Sequence, residues 1–177
     1  MNHSQQQTTT LSFQEAILAT QTLIGKMSHN ELQEAEIERA IAALVGTKVG
    51  ARGFFVPYLT GDSPLADNPS SGVIKALKTA PEVVSELLVK NLAMSSAMAV
   101  THQRNQNCEQ AKGSERVARR SANLIRQMDL DLVKTELTKL EKTIAGEAEN
   151  YRSFLKRWGY DAEQKLAIQK AIKESKK

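Results

Sequence analysis

The sequence predicts an all-α protein, an antiparallel helical bundle with long helices in its second half and a helical hairpin at its N-terminus. Three observations carry this prediction. The chain is rich in Ala, Leu, Lys, Glu and Gln, which favour helix, and holds only four Phe, one Trp and three Tyr, so strand signals are sparse. Apolar residues recur at intervals of three and four over most of the chain. Ser, Thr or Asp stands three residues before Glu or Gln at the head of several such stripes, the spacing of a capping box.

The Gln5–Gln7 and Thr8–Thr10 tract offers no apolar side chain to a core, which predicts a disordered polar tail over 1–11 and a single helical domain over 12–177. Ser12 with Glu15 caps a first helix whose face carries Phe13, Ala16, Ile17, Thr20, Ile24 and Met27. Ser28 with Glu31 opens a second, striped by Leu32, Ala35, Ile41, Leu44 and Val45, with Gly46 as a left-handed stop, and the two helices form the hairpin. Residues 46–59 read two ways, because Gly46, Gly50 and Gly53 weaken a helix while Phe54, Phe55, Val56 and Tyr58 suit a strand. The absence of a partner strand favours helix, kinked or ended at Pro57. Residues 60–71, with Pro64, Pro69, Asp62, Asp67 and Asn68, form an irregular surface loop and a candidate subdomain boundary. Asn68 then caps a short helix through Val73, Ile74 and Leu77, with Pro69 in its first turn.

Thr79 with Glu82 starts the longest pattern, Val83, Val84, Leu87, Leu88, Leu92, Ser95, Met98, Ala99 and His102, running to about Lys112. Gly113 and Ser114 read as a stop and a fresh cap before Val117, Ser121, Leu124, Ile125 and Met128, and the phase slips at Asp129 to Asp131. Val133, Leu137, Leu140, Ile144, Ala148, Tyr151, Leu155 and Trp158 then follow one period through Gly146 to a cap at Gly159. Asp161 with Gln164 caps a last helix carrying Leu166, Ile168 and Ile172.

A chain of 177 residues can bury a core without disulfide or metal support. Its net charge of +4 is too mild to choose among partners. Cys108 is the only cysteine, which excludes an internal disulfide or a thiolate zinc cluster and suits a reducing compartment. The first residues have neither the apolar core of a signal peptide nor the arginine pattern of a transit peptide. Arg, Lys, Glu or Gln interrupts every hydrophobic segment, so no run nears the roughly 18 apolar residues that a membrane span requires. The expectation is a cytoplasmic protein without a transmembrane segment.

No phosphate loop, dinucleotide glycine fingerprint, His-Glu-x-x-His helix, Gly-x-Ser-x-Gly elbow or Glu-x-x-His pair occurs. Each of those chemistries needs its residues at fixed spacing, so no catalytic residue, metal site or cofactor is assigned. His102, beside Arg104 and Asn105, would serve as base or ligand only if a neighbouring helix supplied a carboxylate; otherwise it is a packing residue. Cys108 reads as a small apolar side chain or a redox site. Gly46, Gly50 and Gly53, with Lys48 and Arg52 between them, allow either close helix packing or backbone approach to an anion. Arg52, Phe54, Phe55, Tyr58, Asp62, Asp67 and Asn68 set an aromatic cluster beside a long loop, the pattern of a partner- or ligand-binding surface or of the thickest part of a core. Lys112, Arg116, Arg119 and Arg120 fall on nearly one helix face within 112–126, a basic ridge suited to phosphates, an acidic protein, a negatively charged membrane surface or solvent.

The residues Ala51-Arg52-Gly53-Phe54-Phe55, Tyr58-Leu59-Thr60 and Ala66-Asp67-Asn68-Pro69 resemble those of helical proteins of unassigned function from cyanobacteria, over most of residues 12 to 160. The resemblance implies a cytosolic setting in a photosynthetic bacterium, where small helical proteins act as assembly or regulatory factors, and assigns no residue a role.

The function expected is a non-enzymatic protein–protein interaction, assembly or regulatory factor, with self-association into a homo-oligomer as one form of it. Two alternatives stand beside it. One is nucleic-acid or polyanion binding through the 112–126 face. The other is a bundle that holds a small molecule, pigment or metal near Phe54, Phe55, Tyr58 and His102.

Overall fold

The computed structural model describes residues 10–177, so the tail expected over 1–11 lies outside the described residues except for Thr10 and Leu11, which are exposed and non-helical. Among the described residues there are nine α-helices, one 3-10 turn at Pro64–Ala66 and no strand. The protein is all-α.

Helix α1 (Phe13–Ser28) opens on the expected box: Ser12 Oγ accepts from the Glu15 N–H at 3.2 Å, and Glu15 Oε2 accepts from the Ser12 N–H at 2.7 Å. The Ser28–Glu31 box does not form. Ser28 is the last residue of α1, Asn30 turns the chain at φ 55°, and α2 (Glu34–Val45) starts from a Gln33–Glu36 box instead. Gly46 leaves α2 right-handed at φ −63°, not left-handed as its glycine suggested. Thr47 then caps α3 (Lys48–Thr60), accepting from the Gly50 N–H at 3.0 Å, so the ambiguous 46–59 segment is helical. The helix runs past Pro57 and closes at Gly61, whose N–H donates to the Pro57 carbonyl at 3.0 Å.

Asn68 does not cap α4 (Ser71–Leu77). Ser70 occupies the cap position, and Glu34 of α2 accepts from the Gly72 N–H at 2.6 Å and the Ser71 hydroxyl at 3.3 Å. A carboxylate from another helix therefore satisfies this N-terminus, where it also meets the positive end of the dipole. The Gly72 N–H bond holds the Glu34 carboxyl below its ordinary value.

Thr79 likewise fails to cap α5 (Pro81–Arg104), because its hydroxyl donates back to the Ala76 carbonyl at 2.6 Å; Ala80 precedes Pro81 at the helix start. The helix ends well before Lys112. Gln106 takes φ 57°, and Asn107 caps α6 (Cys108–Met128), its Oδ1 accepting from the Gln110 N–H at 3.3 Å. Gly113 and Ser114 consequently lie inside α6. Asp129 at φ 43° ends α6 where the phase slips, and α7 (Asp131–Ile144) follows. The stripe expected to cross Gly146 is two helices, because Gly146 turns at φ 80° and α8 (Arg152–Trp158) begins only after that turn. Gly159, at φ 59°, caps α8 as expected, and the Asp161–Gln164 box opens α9 (Ala162–Ser175) with both bonds at 3.0 Å.

At the centre lies α5, packed against α6, α7 and α9 and touching α3. Val84, Leu88, Val89, Ala93 and Ala97 of α5 are fully buried; covering one Val or Leu contributes about 1.5–3 kcal/mol, so this helix anchors the core. By length and composition alone α5 could cross a membrane, with mean hydropathy 1.3 over an 18-residue window, and 61% of that window is buried in the bundle. In the N-terminal region α1 and α2 follow each other across a short turn and touch, while α1 packs most extensively on α3 and α2 on α4. Close approach requires Gly53: a Cβ there would lie 2.4 Å from Ala16 Cβ. One hydrophobic cluster draws on Ile41, Phe54 and Leu59 before the 60–71 segment and on Leu77, Leu88, Leu124, Leu137 and Ile168 beyond it.

Overpacking at that contact costs about 1–3 kcal/mol, more than the roughly 1 kcal/mol that Ala gains over Gly in a helix interior. Gly53→Ala should therefore lower the urea midpoint of unfolding; an unchanged or raised midpoint would show that α1 and α3 are not in tight contact.

Candidate functional site

Arg120 in α6 is 2% exposed, and a guanidinium so placed must give all five of its N–H donors to acceptors. It does. Nε donates to Asp67 Oδ1 at 2.9 Å, Nη1 to the carbonyls of Leu59 at 3.0 Å and Gly61 at 2.7 Å, and Nη2 to the Ser63 carbonyl at 2.9 Å and Asp67 Oδ2 at 2.8 Å. Beside it Arg116 donates to Asp62 at 3.1 Å and to the Thr60 carbonyl at 2.9 Å, and Arg119 reaches Asp67 at 3.5 Å. These cations cap the last carbonyls of α3, which has no basic residue in its own last turn. The Arg120 hydrogen bonds hold the Asp67 carboxyl down to about 2, with Arg119 adding to the effect.

Three of the four ridge residues thus pair with the 60–67 segment, Arg120 buried, Arg116 partly so and Arg119 still exposed, and Lys112 remains exposed with Glu109 at 3.8 Å. The loop candidates separate in the same way. Asp62 and Asp67 are the partners of this arginine cluster, while Asn68 is exposed beside it. Phe54 and Tyr58 are buried, stacked on each other with centroids 4.9 Å apart, and the Tyr58 hydroxyl donates to the Leu65 carbonyl at 3.3 Å. Burial raises the Tyr58 phenol above its ordinary value. His102 is partly buried and Cys108 exposed, and among the described residues no three His, Cys, Asp or Glu side chains gather where they could hold a metal ion.

Arg52 and Phe55 alone of the loop candidates line a cleft of about 670 Å³ bounded by α1, α3, α5 and α8 with Val117 of α6 at its edge. Its aromatic lining is Phe13, Phe55, Phe154 and Trp158, and its cations are Lys48, Arg52, Lys90 and Arg157. No carboxylate lines it. Arg52 lies over the Phe13 ring at 5.2 Å, Lys90 over Phe154 at 5.9 Å and Arg157 over Trp158 at 5.8 Å. Glu86, just outside, accepts from Lys48 at 3.2 Å and Lys90 at 2.5 Å; the Lys90 bond is the main reason its carboxyl is held low. Arg52 and Arg157 form no ion pair among the described residues.

Three lining residues that sequence periodicity either turned inward or left without a role are open: Phe13 is 38%, Val56 43% and Trp158 46% exposed. The signal available in the sequence was Lys48, Arg52 and Val56, four apart on one face of α3, together with Arg157 next to Trp158.

The chain belongs to the family described as Uncharacterised conserved protein UCP020893, which matches residues 12–175. No curated protein and no solved structure matches it.

The Asp67 carboxyl titrates near 3.8 when free and near 2 in the fold, so its stabilisation is complete above about pH 4 and is lost as pH falls through about 2. Wild-type protein should lose urea stability over that window more steeply than Asp67→Asn, which lacks the titrating group. Parallel pH profiles would show that Asp67 does not anchor Arg120.

Proposed function

We propose that this member of the family is a non-enzymatic binding protein that takes a segment of a partner protein into the cleft between α1, α3, α5 and α8, in an assembly or regulatory role. The observation that carries the reading is Trp158, exposed at 46% on the cleft wall beside the unpaired Arg157 and across from Phe13 and Arg52. Trp and Arg are enriched in protein–protein hot spots and Phe in interface cores, because a ring or a guanidinium presents a large contact area to a partner. Leaving such rings in water forgoes about 25 cal/mol for each Å² of apolar surface, and a partner recovers it. Val49, on the same face of α3 as Arg52 and Val56, extends the open apolar surface beyond the cavity, which fits a macromolecule better than an enclosed small ligand.

The test is capture from native extract with the wild-type chain and with Trp158→Ala in parallel, followed by affinity measurement on the proteins retained. Trp158 is exposed, so its removal should leave the fold intact by circular dichroism while weakening capture about thirty-fold, the equivalent of ~2 kcal/mol. Equal capture by both proteins, or no protein retained by either, would end the proposal.

A further inference from the structure

We infer that the segment this cleft accepts is acidic and apolar together: a stretch of a partner protein that presents carboxylates beside bulky hydrophobic side chains. The inference rests on the binding role proposed above and names the chemistry of the occupant.

Charge is the first argument. The cleft is lined by Lys48, Arg52, Lys90 and Arg157 and by no carboxylate. Glu86 answers the two lysines from outside, but the two arginines meet only rings. A guanidinium resting on an aromatic face satisfies none of its five N–H donors there, so its edge stays available for a carboxylate in the two-pronged geometry that Arg and not Lys provides. The surrounding apolar wall lowers the local dielectric and makes such a pair worth more than it would be on an open surface.

The second argument is the apolar complement. Phe13, Val56 and Trp158 need hydrophobic contact, which a purely acidic chain cannot give, and they line the same cavity as the four cations. An occupant must therefore interleave the two kinds of side chain, as an amphipathic acidic helix does. Single-stranded nucleic acid could stack on the same rings, but it needs a positive track continuing along its backbone. Here the neighbouring arginines of α6 are paired with Asp62 and Asp67, and Glu86 stands at the cleft edge, so the positive surface stops where the rings stop.

Selection from a random peptide display library on the full chain tests this, with Trp158, the only tryptophan, reporting occupancy of the cleft by its fluorescence. The peptides enriched should be rich in Asp and Glu next to Leu, Phe or Trp, should shift Trp158 emission, and should bind about tenfold more weakly as salt rises or when Arg52→Gln and Arg157→Gln are combined. Both arginines are exposed, and an unchanged thermal melt checks that the double variant folds. Cleft-binding peptides with no acidic bias would overturn this inference and leave the binding role standing. Failure of any peptide to perturb Trp158, or tighter binding by a thymidine oligonucleotide than by the best peptide, would overturn both.

Discussion

A positive charge inside a protein must be answered completely, and Arg120 is the place where this molecule meets that demand. Its five donors find five acceptors, all of them between Leu59 and Asp67, a stretch far from α6 in sequence. Leaving the charge unpaired would cost several kcal/mol, a large share of the 5–15 kcal/mol net stability typical of a domain. The segment is consequently fixed to α6 in one register. Because two of the acceptors, the Leu59 carbonyl and its neighbour at Gly61, sit at the end of α3, the same interaction sets where α3 stops and how it lies against α6.

That placement governs the cleft. Phe55, Val56, Leu59 and Thr60 form its α3 wall, and Val117, three residues before Arg120 on α6, closes its edge. On the other side Gly53 lets α1 come close enough for Phe13 to join the lining and for Arg52 to lie over its ring. The cleft is therefore the space left between helices whose positions are set by a buried ion cluster and a glycine contact. Its open rings and unanswered guanidiniums are surface that the fold leaves uncovered.

Much of the helical order was legible in the sequence, and the places where it was not have physical causes. The Ser12–Glu15 and Asp161–Gln164 boxes formed because both partners of each lie within one helix start, and Asp161 keeps its box while also accepting from Arg104. Thr79 has the same spacing but turns back to the Ala76 carbonyl, and Asn68 yields to Glu34, a cap delivered from another helix that local spacing cannot reveal. Breaks at Asn30, Gln106 and Asp129 use left-handed backbone at residues other than glycine, whereas Gly113 lies inside a helix, so glycine alone was a poor guide to helix ends. The basic ridge was visible as spacing, but the carboxylates and carbonyls that answer it lie more than fifty residues away. The cleft was the least legible feature, since five separate helices contribute to it and Phe13 and Trp158 carry the periodicity of buried residues while remaining open.

Hydrogen exchange on Arg120→Lys tests most directly whether the buried guanidinium holds this arrangement together. Lysine keeps the charge but offers three donors in place of five, so the last turn of α3 and residues 61–67 should exchange much faster than in wild type while α5 and α9 keep their protection. Unchanged protection over 59–67 would contradict the account, because the segment would then be held by something other than Arg120.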